Sequence, residues 1–173
     1  MHVLTESEHH QDWATPPYIV WGLAKELNLR FTFDACASEA NHKAPKYLTA
    51  EQNALAPGDW TGRREEDEAV WCNPPYEDPG AWVAKAAQQS SLGPVVMLLP
   101  ASISTNWFYQ TQRRFPVFLY RQRIQFLPPP GVVAKDRSSV SNCAVLLGGV
   151  HRYAPGIQHR YLDAKTGLFV QEG

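Results

Sequence analysis

The apolar run Ala69-Val70-Trp71-Cys72 stops at Asn73-Pro74-Pro75-Tyr76, and two residues later Asp78-Pro79 opens a helical pattern. A strand, a short loop and a helix in that order is the unit of α/β sheets, which hold ligands beyond the carboxyl ends of their strands. Two adjacent prolines remove two backbone donors and fix φ, and the residue before each is held extended. What remains is a stiff turn that offers carbonyl oxygens, one side-chain amide and one aromatic ring. No other stretch of the chain narrows the fold as much.

The flanking pattern agrees with that unit. Asp78 caps a helix beginning at Pro79, with Trp82, Val83 and Ala86 on one face, and Gly93-Pro94 ends it. Val95 to Leu99 is a continuous apolar run, suited to a strand buried on both faces. Upstream, Thr15 is a plausible N-cap with Pro16 at the first helical position, followed by Ile19, Val20, Leu23, Ala24 and Leu27 at helical spacing. Leu29 to Phe33 alternates as a strand and runs into Asp34-Ala35-Cys36-Ala37-Ser38. Downstream, Ser104 to Arg114 reads as a helix with Trp107 and Phe108 inward. Val117 to Tyr120 and Cys143 to Leu147 read as strands, and the tail beyond Gly148-Gly149 has little pattern. Glu65 to Glu68 is expected to be an exposed loop and His9-His10 part of a loose tail over residues 1–12. Strands alternating with helices predict one α/β domain over residues 1–173, a three-layer sandwich with a mostly parallel sheet.

The turn at residues 73–76 suits methylation of an amino group conjugated to a ring or carbonyl. Such a nitrogen is a poor nucleophile because its lone pair is delocalised. The amide oxygen of Asn73 and the carbonyl of Pro74 are both acceptors. Together they can take the two N–H bonds of one amine and favour a nitrogen whose lone pair points at a donor. Tyr76 could stack on a flat substrate, a contact worth roughly 1–3 kcal/mol per base in nucleic-acid complexes. The turn Asp34 to Ser38 is small enough to let backbone approach a cofactor, although no G-x-G is present.

The charge distribution allows a polyanionic partner, and equally a plain solvated basic surface on the second half of the chain. Residues 1–90 carry 14 acidic and 7 basic side chains, whereas residues 91–173 carry 3 and 9, so a net charge of −1 conceals a polarised chain. Three widely spaced cysteines, Cys36, Cys72 and Cys143, fit a reducing cytosol and argue against zinc. No apolar run approaches a membrane span and the N-terminus lacks a signal-peptide pattern, so a cytoplasmic protein is expected.

Three pieces then stand in one order: Trp13-x-Thr15-Pro16-Pro17, Phe33-Asp34-Ala35-Cys36-Ala37-Ser38, and Asn73-Pro74-Pro75-Tyr76. This set resembles the amino-group methyltransferases that use S-adenosylmethionine, most closely the phage-type (Dam-like) DNA N6-adenine methyltransferases. The resemblance continues through Trp82-x-x-Lys85, Leu99-Pro100-Ala101 with Trp107-Phe108, and Arg123-Ile124-x-Phe126, covering about residues 13–147. It implies a Rossmann-like methyltransferase fold and methyl transfer to N6 of adenine in DNA. The catalytic loop would be Asn73, Pro74, Pro75 and Tyr76. Asp34, Ala35, Cys36 and Ser38 would hold the methionine part of the cofactor, and Thr15 and Pro16 would close over it. Asn53 stands where related enzymes often carry an Asp facing the cofactor's adenine. No separate target-recognition domain fits this length, no metal is implied, and a monomer or weak dimer is expected.

A base inside a duplex cannot reach such a loop and must be flipped out. Arg121, Arg123, Lys135 and Arg137 are then the candidates for holding phosphates, with Phe126 lining the base pocket. Two other classes of function fit the same residues. One keeps the chemistry and acts on RNA adenine, cytosine N4 or a protein glutamine. The other is a nucleic-acid-binding remnant without catalysis.

Overall fold

A computed structural model describes residues 13–129, 131, 140–149 and 152–171. Among these residues three α-helices, α1 (Pro17–Leu27), α2 (Pro79–Gln89) and α3 (Asn106–Gln112), flank one sheet. Its strands are β1 (Arg30–Asp34), β2 (Lys46–Tyr47), β3 (Glu68–Cys72), β4 (Val95–Pro100), β5 (Pro116–Arg121), β6 (Asn142–Leu147), β7 (Gly156–Ile157) and β8 (Leu162–Asp163). Their spatial order is β2-β1-β3-β4-β6-β5-β7, with β8 also paired to β5. Every pairing is parallel except the two made by β6. The expected α/β class and mostly parallel sheet are both present.

Period-two alternation along β4 divides the core into two layers. Val95, Met97 and Leu99 face one side with Val83 and Ala86 of α2 and Phe108 of α3. Val96 and Leu98 face the other, with Ile19, Val20, Leu23 and Leu27 of α1. All six residues of β4 are buried, which is why the run carries no polar residue at all. The result is the predicted three-layer sandwich.

Element edges move where caps decide them. Asp78 caps α2 as expected, its Oδ1 accepting from Ala81 N at 3.1 Å. Helix α3 is shorter than the predicted Ser104–Arg114, because Thr105 takes the N-cap and its hydroxyl accepts from Phe108 N. Thr15 does not cap α1. Pro16 occupies the cap position with no side-chain bond and Pro17 is the first helical residue, so the Thr15 hydroxyl is left for another partner. Asp67 and Glu68 are engaged by Arg30 at 2.8 and 3.5 Å, and Glu68 opens β3 itself. Lys85 of α2 is buried, and its ammonium donates to the carbonyls of Ala56 and Gly58 at 2.7 and 2.6 Å, tying the loop after β2 to the helix.

The unpatterned tail is part of the fold. Strands β7 and β8 extend the β5 edge, and Leu162, Ala164 and Phe169 complete the core layer under α1. Where the tail turns, Gly167 has φ +72 and lies against the first turn of α1. A Cβ on Gly22 would come within 2.5 Å of Gly167 backbone atoms, so helix and turn meet with no side chain between them. Gly22→Ala is expected to destabilise the protein by about 1–3 kcal/mol through overpacking. A urea midpoint equal to that of the wild type would show that helix and turn part at little cost to admit a methyl group.

Candidate active site

Strands β1 and β3 are adjacent and parallel, with Asp34 in register with Trp71. From β1 the chain crosses to β2 on one side and next pairs with β3 on the other. Their carboxyl ends therefore flank the topological switch of the sheet, where α/β folds bind ligands. The loops after β1 and β3 carry the two motifs, Asp34 to Ser38 and Asn73 to Tyr76.

Asp34 is 2 % exposed, and its carboxylate organises the first loop. Oδ1 accepts from Cys36 N at 3.1 Å and Oδ2 from Lys43 N at 2.8 Å. Burial pushes its pKa up, and the two backbone N–H groups and the nearby Lys43 and His42 act against that rise. The backbone on either side is pinned: Ala35 N donates to Trp71 O, Leu48 N to Asp34 O and Ala37 N to Leu48 O, each at 2.9 Å. Ser38, exposed, is bridged to Asn41 through both backbone N–H groups at 3.1 Å. The Lys43 ammonium donates to Asn41 Oδ1 at 2.6 Å, and burial lowers its pKa against the pull of Asp34.

The second loop is tied to a distant segment. Asn73 Nδ2 donates to Thr15 Oγ1 at 2.9 Å, across 58 residues of chain. The hydroxyl that fails to cap α1 is thus the partner of the loop amide, and Thr15 and Pro16 are both buried. Pro74 is buried and Pro75 exposed. The Tyr76 hydroxyl donates to Asn73 Oδ1 at 3.4 Å and accepts from Asn142 Nδ2 at 3.0 Å. Burial pushes the Tyr76 phenol well above its ordinary range. Thr15, Asp34, Cys36, Asn41, Lys43, Trp71 and Asn73 line one small cavity of about 20 Å³. A larger cavity of about 160 Å³ lies at the other end of the strands, among Leu27, Asp67, Pro94 and Gly148, and contains none of the predicted residues.

The remaining predicted residues are dispersed. Asn53 is exposed in a left-handed conformation, and its Oδ1 accepts from Leu55 N at 3.3 Å, so its amide shapes its own turn and does not line the cavity. Arg121 is paired with Asp163 at 3.2 Å, while Arg123 is exposed. Phe126 packs against the core layer of α1. Ala14 and Leu127 exchange backbone bonds at 2.9 and 2.8 Å, which brings the segment carrying Arg121, Arg123 and Phe126 beside the one carrying Thr15. Lys135 and Arg137 lie outside the described residues. Sequence patterns did not single out Asn41, Lys43 or Asn142. Only Asn142 had a signal, a polar residue opening an otherwise apolar strand.

Comparison with known proteins gives a consistent picture. The family model for DNA N-6-adenine-methyltransferase (Dam) matches residues 3–152. The chain is 39% identical over 119 residues to the DNA N-6-adenine-methyltransferase of Haemophilus phage HP1, covering 66% of this chain and 65% of that protein. It is 35% identical over 102 residues to the enzyme of the same name from Escherichia phage T1, covering 58% of this chain and 40% of the relative. The chain thus spans less than two thirds of the length of either relative.

Replacing Asp34 with Ala strands two backbone N–H groups and is expected to cost about 1–3 kcal/mol. The sign of its pH dependence follows from the raised folded-state pKa. The carboxyl's contribution is full below the unfolded value near about 3.9 and is lost as pH rises through the folded value. The stability gap between wild type and Asp34→Ala should therefore widen as pH falls from 7 toward 4. Urea unfolding of both proteins across that window checks it, and a gap that narrows would contradict the burial-dominated picture of Asp34.

Proposed function

The chain belongs to the DNA N-6-adenine-methyltransferase family, and from that premise we propose that it methylates the N6 amino group of adenine in DNA with S-adenosylmethionine as donor. The observation that carries this is the convergence of Asn73, Thr15 and the Asp34 turn on one cavity at the switch point of the sheet. The donor set there fits the amino-acid end of the cofactor. A zwitterion needs a cation and acceptors side by side, and Lys43 stands with Asp34, Asn41 and Asn73 on the same wall. When bound, S-adenosylmethionine supplies an electrophilic methyl carbon on a sulfonium.

The chain's own residues then have separable tasks. Asp34 holds the loop backbone in place, and Lys43 offers charge to a carboxylate. Thr15 orients the Asn73 amide by accepting its N–H, and the amide oxygen, which at rest takes the Tyr76 hydroxyl at a long 3.4 Å, is the acceptor for the substrate amine. That oxygen and the Pro74 carbonyl take the two N–H bonds and concentrate the lone pair on nitrogen. The base is presented out of the duplex, at a cost of a few kcal/mol repaid by contacts in the pocket. The basic second half of the chain faces the phosphates, with Arg123 more available than Arg121, whose charge is already shared with Asp163.

The direct test is incubation with labelled S-adenosylmethionine and unmodified DNA, followed by digestion to nucleosides. Label is expected in N6-methyladenine. Label confined to N4-methylcytosine would overturn the choice of base, and label on RNA or protein with DNA inert would overturn the choice of substrate. Asn73→Ala should abolish turnover while cofactor affinity by calorimetry stays within about three-fold, since an acceptor aimed at the amine adds little to cofactor binding. Near-normal turnover would refute its acceptor role. Arg123→Ala should weaken DNA binding and lower the slope of log K against log salt by about 1. Arg121→Ala should change the slope less, and a larger change for Arg121 would reverse the assignment.

A further inference from the structure

Asn142 is 1 % exposed at the start of β6, in register with Pro100 at the end of β4. The next three residues of its strand, Cys143, Ala144 and Val145, are all buried apolar groups. One end of its amide serves Tyr76. The other end, Oδ1, is buried with no hydrogen-bond partner among the described residues. An orphaned carbonyl in an apolar strand is costly, and a leucine would avoid it. The polar group is therefore explained by what it does to Tyr76, not by packing.

Tyr76 has one proton and two places to put it. As drawn, Asn142 Nδ2 donates to the Tyr76 oxygen and the phenol proton rests on Asn73 Oδ1, at a long 3.4 Å. That oxygen is the acceptor assigned above to the substrate amine, so the phenol occupies the place the amine needs. Turning the Asn142 amide by 180° brings its oxygen to Tyr76, and the phenol proton then has a second acceptor. Each orientation leaves one end of the amide unpartnered; the first keeps the extra bond from Tyr76 to Asn73, and an amine arriving at Asn73 Oδ1 removes that advantage. Asn73 cannot make the same turn freely, because its Nδ2 is held by Thr15 at 2.9 Å.

We propose that Asn142 is a positioning residue that takes the Tyr76 proton when substrate arrives and so frees the Asn73 oxygen for the amine. The proposal rests on the acceptor role of Asn73. It predicts that Asn142 acts only through the Tyr76 hydroxyl, a requirement that a purely structural role lacks.

Methyl-transfer kinetics on Asn142→Leu, Tyr76→Phe and the double variant test it. Asn142→Leu should lower kcat about tenfold or more with KM for S-adenosylmethionine little changed, because the phenol then has only Asn73 to bond. In the Tyr76→Phe background the same substitution should change kcat by less than about three-fold. Asn142→Asp, of equal shape and still an acceptor, should retain kcat within about three-fold of the wild type. An equal loss from Asn142→Leu in both backgrounds would overturn the proposal, as would an Asp variant no better than Leu. Side-chain amide NMR of Asn142 in wild type and Tyr76→Phe reads the contact with no substrate and no leucine variant. Its resonances should move when the hydroxyl is removed, and unmoved resonances would also overturn the proposal. A wild type inactive on DNA would sink the functional assignment while leaving this spectroscopic arm to decide the Tyr76 contact.

Discussion

A carboxylate held out of water at the end of β1 is the constraint around which the candidate site is built. Asp34 is too buried to be solvated, so its two oxygens must be satisfied by the protein. They take the N–H groups of Cys36 and Lys43, residues on opposite limbs of one loop. Closing that loop brings Asn41 and Lys43 onto the cavity wall beside Thr15 and Asn73. A glycine-rich turn would reach a similar close approach by conformational freedom. Here a buried acid and the small residues Ala35 and Cys36 accomplish it, at the cost of an anion in a poor dielectric.

The second constraint is a run of hydrogen bonds that crosses the molecule: Thr15, Asn73, Tyr76 and Asn142. They come from the segment before α1, the loop after β3 and the antiparallel strand β6. No two of these segments are consecutive, and only the sheet order brings them together. Strand β6 runs antiparallel to both of its neighbours, β4 and β5, which puts its first residue, not its last, at the ligand end of β4. A parallel strand in the same place would present its C-terminal residue there.

The two cavities show why concavity alone does not identify the site. The larger one, about 160 Å³, sits at the amino ends of β1, β3 and β4, away from the strand ends where α/β sheets bind ligands, and none of the motif residues lines it. The smaller, about 20 Å³, holds a buried acid, a half-buried cation and the amide of the proline loop. In the proposed reaction the smaller one is the place where a ligand would be gripped.

How much was legible follows from which forces are local. The strand–loop–helix unit at Ala69–Pro79 and the buried run Val95–Leu99 could be read directly, because apolar periodicity and proline geometry act within a few residues. The Asp78 cap was readable for the same reason. The membership of Asn73 and Asp34 in one site was readable only through the order of motifs, since nothing local links residues 34 and 73. Thr15 was visible as a polar residue before a helix but was assigned the wrong partner: two consecutive prolines left the cap register ambiguous, and a tertiary bond to Asn73 took the hydroxyl. Asn53 and Phe126 were named on motif position, and their side chains went to a local turn and to the α1 core. The tail strands β7 and β8 are two residues each, too short for any periodicity, and exist because β5 offers them an edge. Asn142 had no local signature beyond its polarity. The sequence by itself determined the α/β class, the buried strands and the stiff acceptor loop, because each depends on near neighbours along the chain. Tertiary structure alone decided which side chains meet that loop, because those partners are set by strand order and direction across the sheet.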